Sequence, residues 1–450
     1  MPFTPRSLLV AAVCGLSLIA VVAPAASAEP ERLPGASASS GLRPGERKVS
    51  LPAPAAATPQ ADRRLLPDRQ ASAVPVCTPV TAGVSAGAAI GAGVSRELCV
   101  TRQPSPAATF TGAGAKRATA AAEAQVPCSN AGTTSWIVAR FSLCHAATRV
   151  TTTMTERPSG SVLGQSVVDV AQNSELNLNS LSWQERIYFN MVSGWGTLTE
   201  MRYGIQAYCG SLCTNSASPS MSTRMVAPQS SSAVISYTAS PVDKFSYPVA
   251  YTVQILAGTA GTPTSVSYSA PIGADFRCDR LVGKYAGCVY PWATPTFFVS
   301  IQKWSASAVM IQYAQSVLVD HWGRDTPMSR LHDDKIKDVN RKAMCKDGTW
   351  VADPRVQPQD SCDEFPFAGS WESGAMFGLT GASCAQVRPF IDPASGRWVI
   401  GIYGTITYAE RCIRGHVNLL DNDGVGGDLG RYAQAQRLLD RDSYYVEVVA

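Results

Sequence analysis

Three acidic residues lie among aromatic residues in the stretch "SCDEFPFAGSWES". Asp363, Glu364 and Glu372 fall within ten positions, directly after Cys362. Grouped carboxylates can bind a hard divalent cation through oxygen, or they can move protons as a general acid and base. The alternative is a solvated acidic surface, which is the usual place for Asp and Glu. Because the interleaved aromatic residues usually pack, we expect some of these carboxylates to be partly buried.

A second polar group occurs in "RGHVNLLDNDGVGGDLG". Asp421 to Gly424 resemble the start of a calcium loop, but the EF-hand spacing would require oxygen ligands at Val425 and Gly427, and no glutamate closes the loop. We therefore set the calcium loop aside. Asn422 then stands before a glycine-rich turn and a predicted helix, where a side-chain amide and free backbone N–H groups can face a metal and a phosphate.

The second stretch also contains Arg414 and His416, which alternate along a predicted strand just before Asn422, so both can face one phosphate. The histidines and the large aromatic residues outside these stretches do not suggest a site. We expect the other histidines to be structural or exposed, and the aromatic residues of the middle region to form a core. These residues are His145, His321 and His332, and Trp136, Trp195 and Tyr203.

The start of the chain has the features of a secretory signal peptide, which we place at residues 1–28. Arg6 precedes an apolar run from Leu8 to Val22, and Ala26-Ser27-Ala28 provides small residues for cleavage ahead of Glu29. The apolar run is shorter than a membrane span, and no later window has 18 uncharged apolar residues. We therefore expect a secreted, extracellular protein without a membrane partner.

The cysteine count agrees with an oxidising compartment. Twelve cysteines follow the predicted signal peptide, an even number that fits six disulfides. Zinc is the alternative, but the one close pair, Cys209 and Cys213, has no second close pair to complete four ligands. We predict that the cysteines pair along the chain, each with its neighbour: Cys77–Cys99, Cys128–Cys144, Cys209–Cys213, Cys278–Cys288, Cys345–Cys362 and Cys384–Cys412.

The composition changes twice along the chain and predicts a multidomain protein. Residues 29–125 are rich in Ala, Pro and Ser, and we predict a linker or pro-region there, with one possible disulfide loop. Residues 126–325 contain short alternating runs such as "TSWIVARFSL", "RIYFNMVSGWG", "AVISYTA" and "VAYTVQIL", which indicate an all-β sandwich-like domain. The run "SASAVMIQYAQSVLVDHWG" predicts a helix that closes this domain and ends at Gly323.

Residues 326–450 combine different elements and predict an α+β domain. We expect a polar arm from Arg330 to Lys342, the acidic stretch, strands in "RWVIGIYGTITYAERC", a helix from about Leu429 to Leu439, and a final strand in "YYVEVV". The whole chain has a formal net charge of +4, so charge alone does not indicate nucleic acid, although a local basic groove remains compatible with it.

The two polar stretches together resemble the NucA/NucB family of secreted deoxyribonucleases. The similarity rests on "CDEFPFAGSWESG" and "DNDGVGGDLGRYAQAQRLLDRDSYYVEV" and covers about residues 330–450; "FRCDRLVGKYAGCVYPW" and "NRKAMC" are similar to longer exported members. The resemblance implies a ββα-metal nuclease-like C-terminal domain. This sequence differs in separating Asp363 from Asn422 by 59 positions, which predicts an inserted hairpin held by Cys384 and Cys412.

The resemblance also implies roles for individual residues. Asp363 takes the part of the base that activates the attacking water, and Asn422 matches a metal-binding asparagine at the start of a helix. Glu364 and Glu372 match the other acids of the motif, as a water-mediated metal ligand or as support for Asp363. The implied cofactor is Mg²⁺ or Mn²⁺, which would neutralise the phosphate and stabilise the leaving oxygen.

Two functions from different classes follow from these observations. The first is a secreted, metal-dependent, largely sequence-nonspecific endodeoxyribonuclease that hydrolyses phosphodiester bonds of DNA. The second is an exported β-sandwich binding or surface-matrix protein with an inactive nuclease-like module, which the large share of the chain outside residues 326–450 favours. The sequence does not indicate the oligomeric state.

Overall fold

The computed structural model describes residues 41–51, 63–67, 75–80, 94–104, 135–217, 221–257, 264–269 and 274–450. These residues lie within one unit, Ala38–Ala450. The predicted signal peptide, residues 1–28, lies outside the described residues, as does most of the predicted linker.

The protein is mostly β-structure, with three α-helices among the described residues. The helices are α1 (Ile301–Val317), α2 (Asp334–Cys345) and α3 (Leu419–Ala435). The strands, in chain order, are β1 (Glu46–Ser50), β2 (Arg63–Pro67), β3 (Val76–Val80), β4 (Ser95–Pro104), β5 (Ser135–Ala139), β6 (Ser142–Arg157), β7 (Val162–Glu175), β8 (Ser182–Gly196), β9 (Glu200–Tyr208), β10 (Cys213–Asn215), β11 (Met221–Val226), β12 (Gln229–Ala239), β13 (Lys244–Tyr247), β14 (Ala250–Ala257), β15 (Thr264–Ser269), β16 (Phe276–Asp279), β17 (Gly287–Val289), β18 (Thr296–Ser300), β19 (Met328–Ser329), β20 (Asp360–Phe365), β21 (Ala385–Asp392), β22 (Arg397–Tyr403), β23 (Ile413–Asn418) and β24 (Ser443–Val449).

The middle of the chain forms a β-rich domain, as its alternating sequence predicts. One sheet has the order β10-β12-β8-β7-β6-β4-β3 with β2 and β5 beside it, and a second has the order β11-β9-β14-β15. Strand β8 buries every second residue over most of its length, and side chains of both sheets, such as Ile187 and Val253, share one hydrophobic core. The four runs that we predict to be strands all lie in this domain as strands.

The segment that we predict to be a linker, residues 29–125, contributes ordered strands. Strands β3 and β4 pair with each other through the Cys77–Cys99 register and extend the large sheet. Strand β1 pairs antiparallel with β22, and the carboxylate of Glu46 accepts hydrogen bonds from Arg388 and Arg355. Composition did not predict these strands because each is stabilised by pairing with residues far along the chain.

The C-terminal region has a five-stranded sheet in the order β1-β22-β21-β23-β20. Helices α1 and α3 pack together, and their buried residues share a core with the sheet. The final predicted strand is present as β24, between β18 and β19. Our prediction that α1 closes the β-domain needs correction, because Val309, Met310 and Ile311 pack in the C-terminal core, so this core begins near Phe297.

Two helices differ from the sequence predictions. The predicted polar arm contains α2, whose first turn is capped by the Asp333 side chain accepting from the backbone N–H groups of Lys335 and Ile336. The predicted glycine-rich turn is helical, because α3 begins at Leu419 with the Asn418 side chain as its N-cap. Among the described residues, no helix is long and apolar enough to cross a membrane.

The β-domain is joined to the end of α3 by buried arginines. Arg140 donates to the carbonyl oxygens of Gln436 and Arg437 and to Asp442. The side chain of Arg437 in turn donates to the carboxylate of Asp279 in the β-domain. These contacts satisfy carbonyl groups at the helix end, which otherwise lack partners, and they hold α3 in position.

Five of the six predicted disulfides are present among the described residues. They are Cys77–Cys99, Cys209–Cys213, Cys278–Cys288, Cys345–Cys362 and Cys384–Cys412. The remaining predicted pair includes Cys128, which lies outside the described residues. The bridge from Cys384 to Cys412 encloses the antiparallel hairpin β21–β22, which confirms the predicted hairpin and its disulfide. These bridges fit a protein of an oxidising, extracellular compartment.

Candidate functional site

Asp363 and Glu364 lie on β20, the edge strand of the C-terminal sheet. Successive residues of a strand point to opposite faces, so Asp363 and Glu364 diverge. The side chain of Asp363 meets Ser307 of α1, whereas that of Glu364 lies beside Cys345 at the end of α2. Because β20 has no strand beyond it in this sheet, one cavity at the edge can reach both carboxyl groups.

Asp363 is buried, and its environment raises its pKa. The hydroxyl group of Ser307 donates to Asp363 Oδ2 at 2.8 Å. Burial, with a smaller contribution from the neighbouring charge of Asp421, raises the pKa of Asp363 to about 6. Asp363 is therefore a carboxylate at neutral pH that is kept largely out of bulk water, which is what a general base requires.

Glu364 is also buried and has a still higher pKa. Burial first, and then the negative charge of Asp363, raise the pKa of Glu364 to about 8, against a smaller opposing effect of Arg341. Among the described residues, no lysine or arginine forms an ion pair with either carboxyl group within 4.0 Å. Two adjacent buried acids without such partners form a strongly negative centre once both are ionised, and a cation would relieve the repulsion.

Asn422 lies in the first turn of α3 and faces the same strand. Its amide nitrogen donates to Ser361 Oγ and to the carbonyl oxygen of Cys362, both at 2.9 Å. Both hydrogen bonds use the nitrogen, so the amide oxygen is directed away from these partners and can serve as a ligand for a hard cation.

A cavity of about 170 Å³ brings these residues together between α2, β20 and α3. Asp363, Glu364 and Asn422 all line it. Positive charge also faces the cavity, from Lys337 and Arg341 on α2. The other lining residues are Arg330, Leu331, Phe367, Ala368, Gly369, Val425, Gly426, Leu429, Gly430, Ala433, Leu438 and Tyr444.

Glu372, the third predicted acid, does not line this cavity. Its carboxylate accepts a hydrogen bond from the backbone N–H of Ser329 at 2.7 Å, and burial raises its pKa. Its charge raises the pKa of Tyr444, which does line the cavity, so Glu372 lies behind that wall. This position suits support of the wall more than direct contact with a substrate.

Arg414 and His416 lie elsewhere, and the phosphate-binding role that we predict for them is not supported by their placement. Both side chains are buried, at 2% and 1% exposure. Arg414 donates to Asp347, Thr349 and Gln386.

His416 is enclosed in the same way. Its Nδ1 atom lies 2.7 Å from Asp360 Oδ2, and its ring stacks on Trp350 at a centroid distance of 3.8 Å. The two side chains do share one face, as their alternation predicts, but a buried polar network occupies that face. We therefore leave both residues out of the candidate site.

The remaining sequence predictions are mostly confirmed. Trp136 and Tyr203 are buried in the β-domain core, but Trp195 is 49% exposed. His321 contacts the carbonyl oxygen of Gln315 through Nδ1, and His332 is exposed, as expected for structural or surface histidines.

Three charged residues near the site are not among the site residues predicted from the sequence. Asp421 accepts a hydrogen bond from the backbone N–H of Ala306, where the regular part of α1 begins, and burial raises its pKa. Lys337 and Arg341 belong to the stretch that we predict to be a polar arm. Their spacing of four residues on a helix was the signal that could have identified them.

Among the residues that the structure describes, two groups of side chains have metal-like spacing, but each contains a disulfide. They are Cys77, Glu97 and Cys99, and Cys345, Cys362 and Glu364. A sulfur in a disulfide is not a thiolate, so neither group is a thiolate metal site as it stands. The oxygen atoms of Asp363, Glu364 and Asn422 are the ligands that a hard cation prefers, and they fit Mg²⁺ or Mn²⁺.

Comparisons with known proteins do not identify a family. No protein-family model matches the chain. No curated protein matches it either. Among solved structures, the chain is similar to the GAE domain of yeast GGA1, with 10% identity over 23% of this chain and 91% of that domain, at a TM-score of 0.15. A similarity at this level carries no argument about fold or function.

Proposed function

We propose that this protein is a metal-dependent, largely sequence-nonspecific endodeoxyribonuclease that acts outside the cell. One observation carries the proposal: Asp363, Glu364 and Asn422, which the NucA/NucB resemblance selects as site residues, line one cavity although 59 positions separate the first from the last. The nuclease-like assignment of residues 326–450 and the DNA substrate are part of this proposal.

In the proposed reaction, Asp363 accepts a proton from a water molecule as the water oxygen attacks phosphorus. The bond from phosphorus to the leaving oxygen breaks, and that oxygen takes a proton from solvent. The hydrogen bond from Ser307 orients the Asp363 carboxylate, and burial keeps it basic enough to take the proton at neutral pH. Lining residues with no polar side chain, such as Val425, reduce access of bulk water.

A divalent cation would be held by Asn422 through its amide oxygen, with Glu364 as the nearby carboxyl group. When bound, Mg²⁺ or Mn²⁺ would neutralise the phosphate and stabilise the leaving oxygen. The protonated form of Glu364 that burial favours would lose its proton when a cation approaches. Glu372 supports the wall that contains Tyr444.

A plasmid-nicking assay tests the proposal directly. We expect the purified protein to nick and linearise plasmid DNA with Mg²⁺ or Mn²⁺, to lose this activity in EDTA, and to regain it when the metal is returned. A parent protein that is inactive at every metal concentration, while correctly folded, would contradict the proposal. It would favour the alternative of an exported β-sandwich binding or surface-matrix protein.

A further inference from the structure

Two cations of α2 face the candidate site from one side of the helix. Lys337 and Arg341 are four residues apart, so they lie one above the other on one helix face. Both line the cavity that contains Asp363 and Glu364. At 1.5 Å of rise per residue, the two positions are about 6 Å apart along the helix axis.

The placement of α2 beside the acids is fixed by two connections. In the middle, the Asn340 side chain donates to the carbonyl oxygen of Ala368, a cavity-lining residue, at 3.0 Å. At the end, Cys345 is bonded to Cys362, the residue before Asp363. The two cations are therefore held at a constant position relative to the acids.

The two cations form weak ion pairs with their present partners, and a phosphate can replace these partners. Lys337 pairs with Asp334 at 2.9 Å, and Arg341 pairs with Asp338 at 2.8 Å, each three residues earlier on the helix. The two aspartate side chains are 91% and 63% exposed. Ion pairs in this setting contribute little because water screens them, whereas a phosphate accepts strong charge-assisted hydrogen bonds from Lys and Arg.

Two glycines of α3 leave open space on one wall of the cavity. Gly426 and Gly430 of α3 line the cavity, and a Cβ atom built on either glycine would meet open space within 4 Å. These two positions without side chains leave space for a substrate to approach, and cations that line the same cavity can bind backbone phosphates without reading the bases.

We propose that Lys337 and Arg341 bind phosphates of the DNA backbone next to the phosphate that is cleaved. This inference rests on the proposed nuclease function and makes α2 the positioning element for a polymeric substrate. Two cations about 6 Å apart along a helix suit successive phosphates of one strand, whereas Asp363 and Asn422 would act at the cleaved phosphate. A small phosphodiester has no neighbouring phosphates and should not use these cations.

The experiment compares two substrates in a double variant, Lys337→Ala with Arg341→Ala. For duplex DNA with Mg²⁺ at low salt, we expect kcat/KM to fall about 10- to 100-fold, mostly through KM. The slope of log KM against log salt should shrink by about 2, since each lost phosphate contact removes about 0.9 from it. For bis(p-nitrophenyl) phosphate, kcat/KM should stay within about twofold.

The matched control is Lys335→Ala with Lys342→Ala. These lysines are exposed on the same helix, do not line the cavity, and change the net charge by the same amount. The control should keep both activities and the parent salt dependence. Equal losses in the two double variants, equal losses for the two substrates, or an unchanged salt slope would each overturn the inference.

A failure of the proposed nuclease function would give a different experimental result from a failure of this inference. A parent that cleaves neither substrate with Mg²⁺ contradicts the nuclease proposal, and the inference is then tested by binding alone. Fluorescence anisotropy of a labelled DNA duplex in EDTA measures this binding. Weaker binding by the Lys337 and Arg341 variant than by its control would support phosphate contacts, and equal binding would reject them.

Discussion

Both halves of the molecule bury carboxyl groups, but they surround them differently. In the β-domain, Glu185 accepts hydrogen bonds from the hydroxyl groups of Tyr237 and Tyr251 at 2.6 and 2.7 Å. Burial raises its pKa to about 7. In the C-terminal region, burial and the charge of Asp421 raise the pKa of Asp363 to about 6, burial and the charge of Asp363 raise that of Glu364 to about 8, and both acids line a cavity.

The comparison shows that a raised pKa alone does not mark a functional site. The acid of the β-domain has hydroxyl donors on both oxygen atoms, so its polar atoms are satisfied within the core. The acids on β20 are consecutive in the chain and both line a cavity at a sheet edge, together with cations of α2. The second region differs because a cavity lies beside two carboxyl groups of like charge. A metal and a phosphate can occupy this cavity.

The largest expected effect is the loss of the proposed base. Asp363→Asn keeps the shape and can still accept the hydrogen bond from Ser307, but it removes the proton acceptor. We expect DNA cleavage to fall by about 10²- to 10⁴-fold at saturating Mg²⁺, without a loss of melting temperature at neutral pH. Glu185→Gln, the matched change in the β-domain, should leave cleavage within about twofold.

The same assay can show that the base is assigned wrongly. If Asp363→Asn cleaves DNA nearly as fast as the parent while Glu364→Gln is inactive, Glu364 is the base. If Glu185→Gln and Asp363→Asn lose equal activity, the difference between the two regions disappears.

The next effect separates stability from activity by removing one disulfide in each region. Replacing Cys345 and Cys362 by Ala opens a loop with a sequence separation of 17 and should lower the free energy of unfolding by about 3 kcal/mol, as chain entropy predicts. Replacing Cys77 and Cys99, with a separation of 22, should cost a similar amount.

Only the first of these variants should lose activity, because its bridge holds α2 beside Asp363. Urea unfolding and plasmid nicking below the unfolding transition measure the two quantities. Equal nicking by the two folded variants would show that the Cys345–Cys362 bridge does not position the site.

A third prediction concerns pH. The folded state keeps the proton of Glu185 up to about pH 7, whereas the unfolded chain loses it near 4.5, so the folded state binds more protons in this interval. The free energy of unfolding therefore falls as pH rises through this window. Since one pKa unit corresponds to about 1.4 kcal/mol, the contribution of Glu185 is about 3 kcal/mol.

Glu185→Gln should remove this contribution, so that the stability of the variant relative to the parent increases between pH 4.5 and 7. Urea unfolding at several pH values measures the difference. Asp363→Asn should show the same sign over a lower window, from about 3.8 to 6. A parent and a Glu185→Gln variant with parallel pH curves would show that the buried glutamate is ionised throughout.

The smallest effect is expected at Asn422. Asn422→Ala should raise the Mg²⁺ concentration for half-maximal nicking by about tenfold, since it removes one neutral oxygen ligand, without unfolding the protein. Asp423→Ala is the control, because Asp423 is exposed on the next position of α3. An unchanged metal response in Asn422→Ala would exclude this residue as a ligand.

Local patterns predicted much of the fold. Alternating residues predicted the strands of the β-domain, such as β8, because burial on one face leaves a period of two in the sequence. The cysteine order predicted five disulfides, and two of them, Cys77–Cys99 and Cys278–Cys288, join the paired strands of a hairpin. The start of α3 was missed because Gly424 and Gly426 disfavour a helix in isolation, whereas packing and the Asn418 cap stabilise it here.

The candidate site was predicted in part. The resemblance selected Asp363, Glu364 and Asn422, which do meet at one cavity. The prediction of the site was incomplete because the alternation of residues along a strand shows which face Arg414 and His416 share. It does not show which residues cover that face. The covering residues, including Trp350, come from a loop with no periodic pattern. The cations of α2 were missed because that segment reads as a polar stretch until its helix is known.

The position of strand β1 affects the order in which the two regions of the protein can fold. Its partner β22 follows the whole β-domain, so the chain starts one edge of the C-terminal sheet, leaves to form another domain, and returns. During synthesis, N-terminal segments emerge first, and the β-domain can fold while β1 still lacks its partner. An unpaired strand is a template for pairing with other chains. A chain that ends before Arg397, the first residue of β22, therefore lacks the partner of β1. Its β1 strand is left exposed and can pair with other chains.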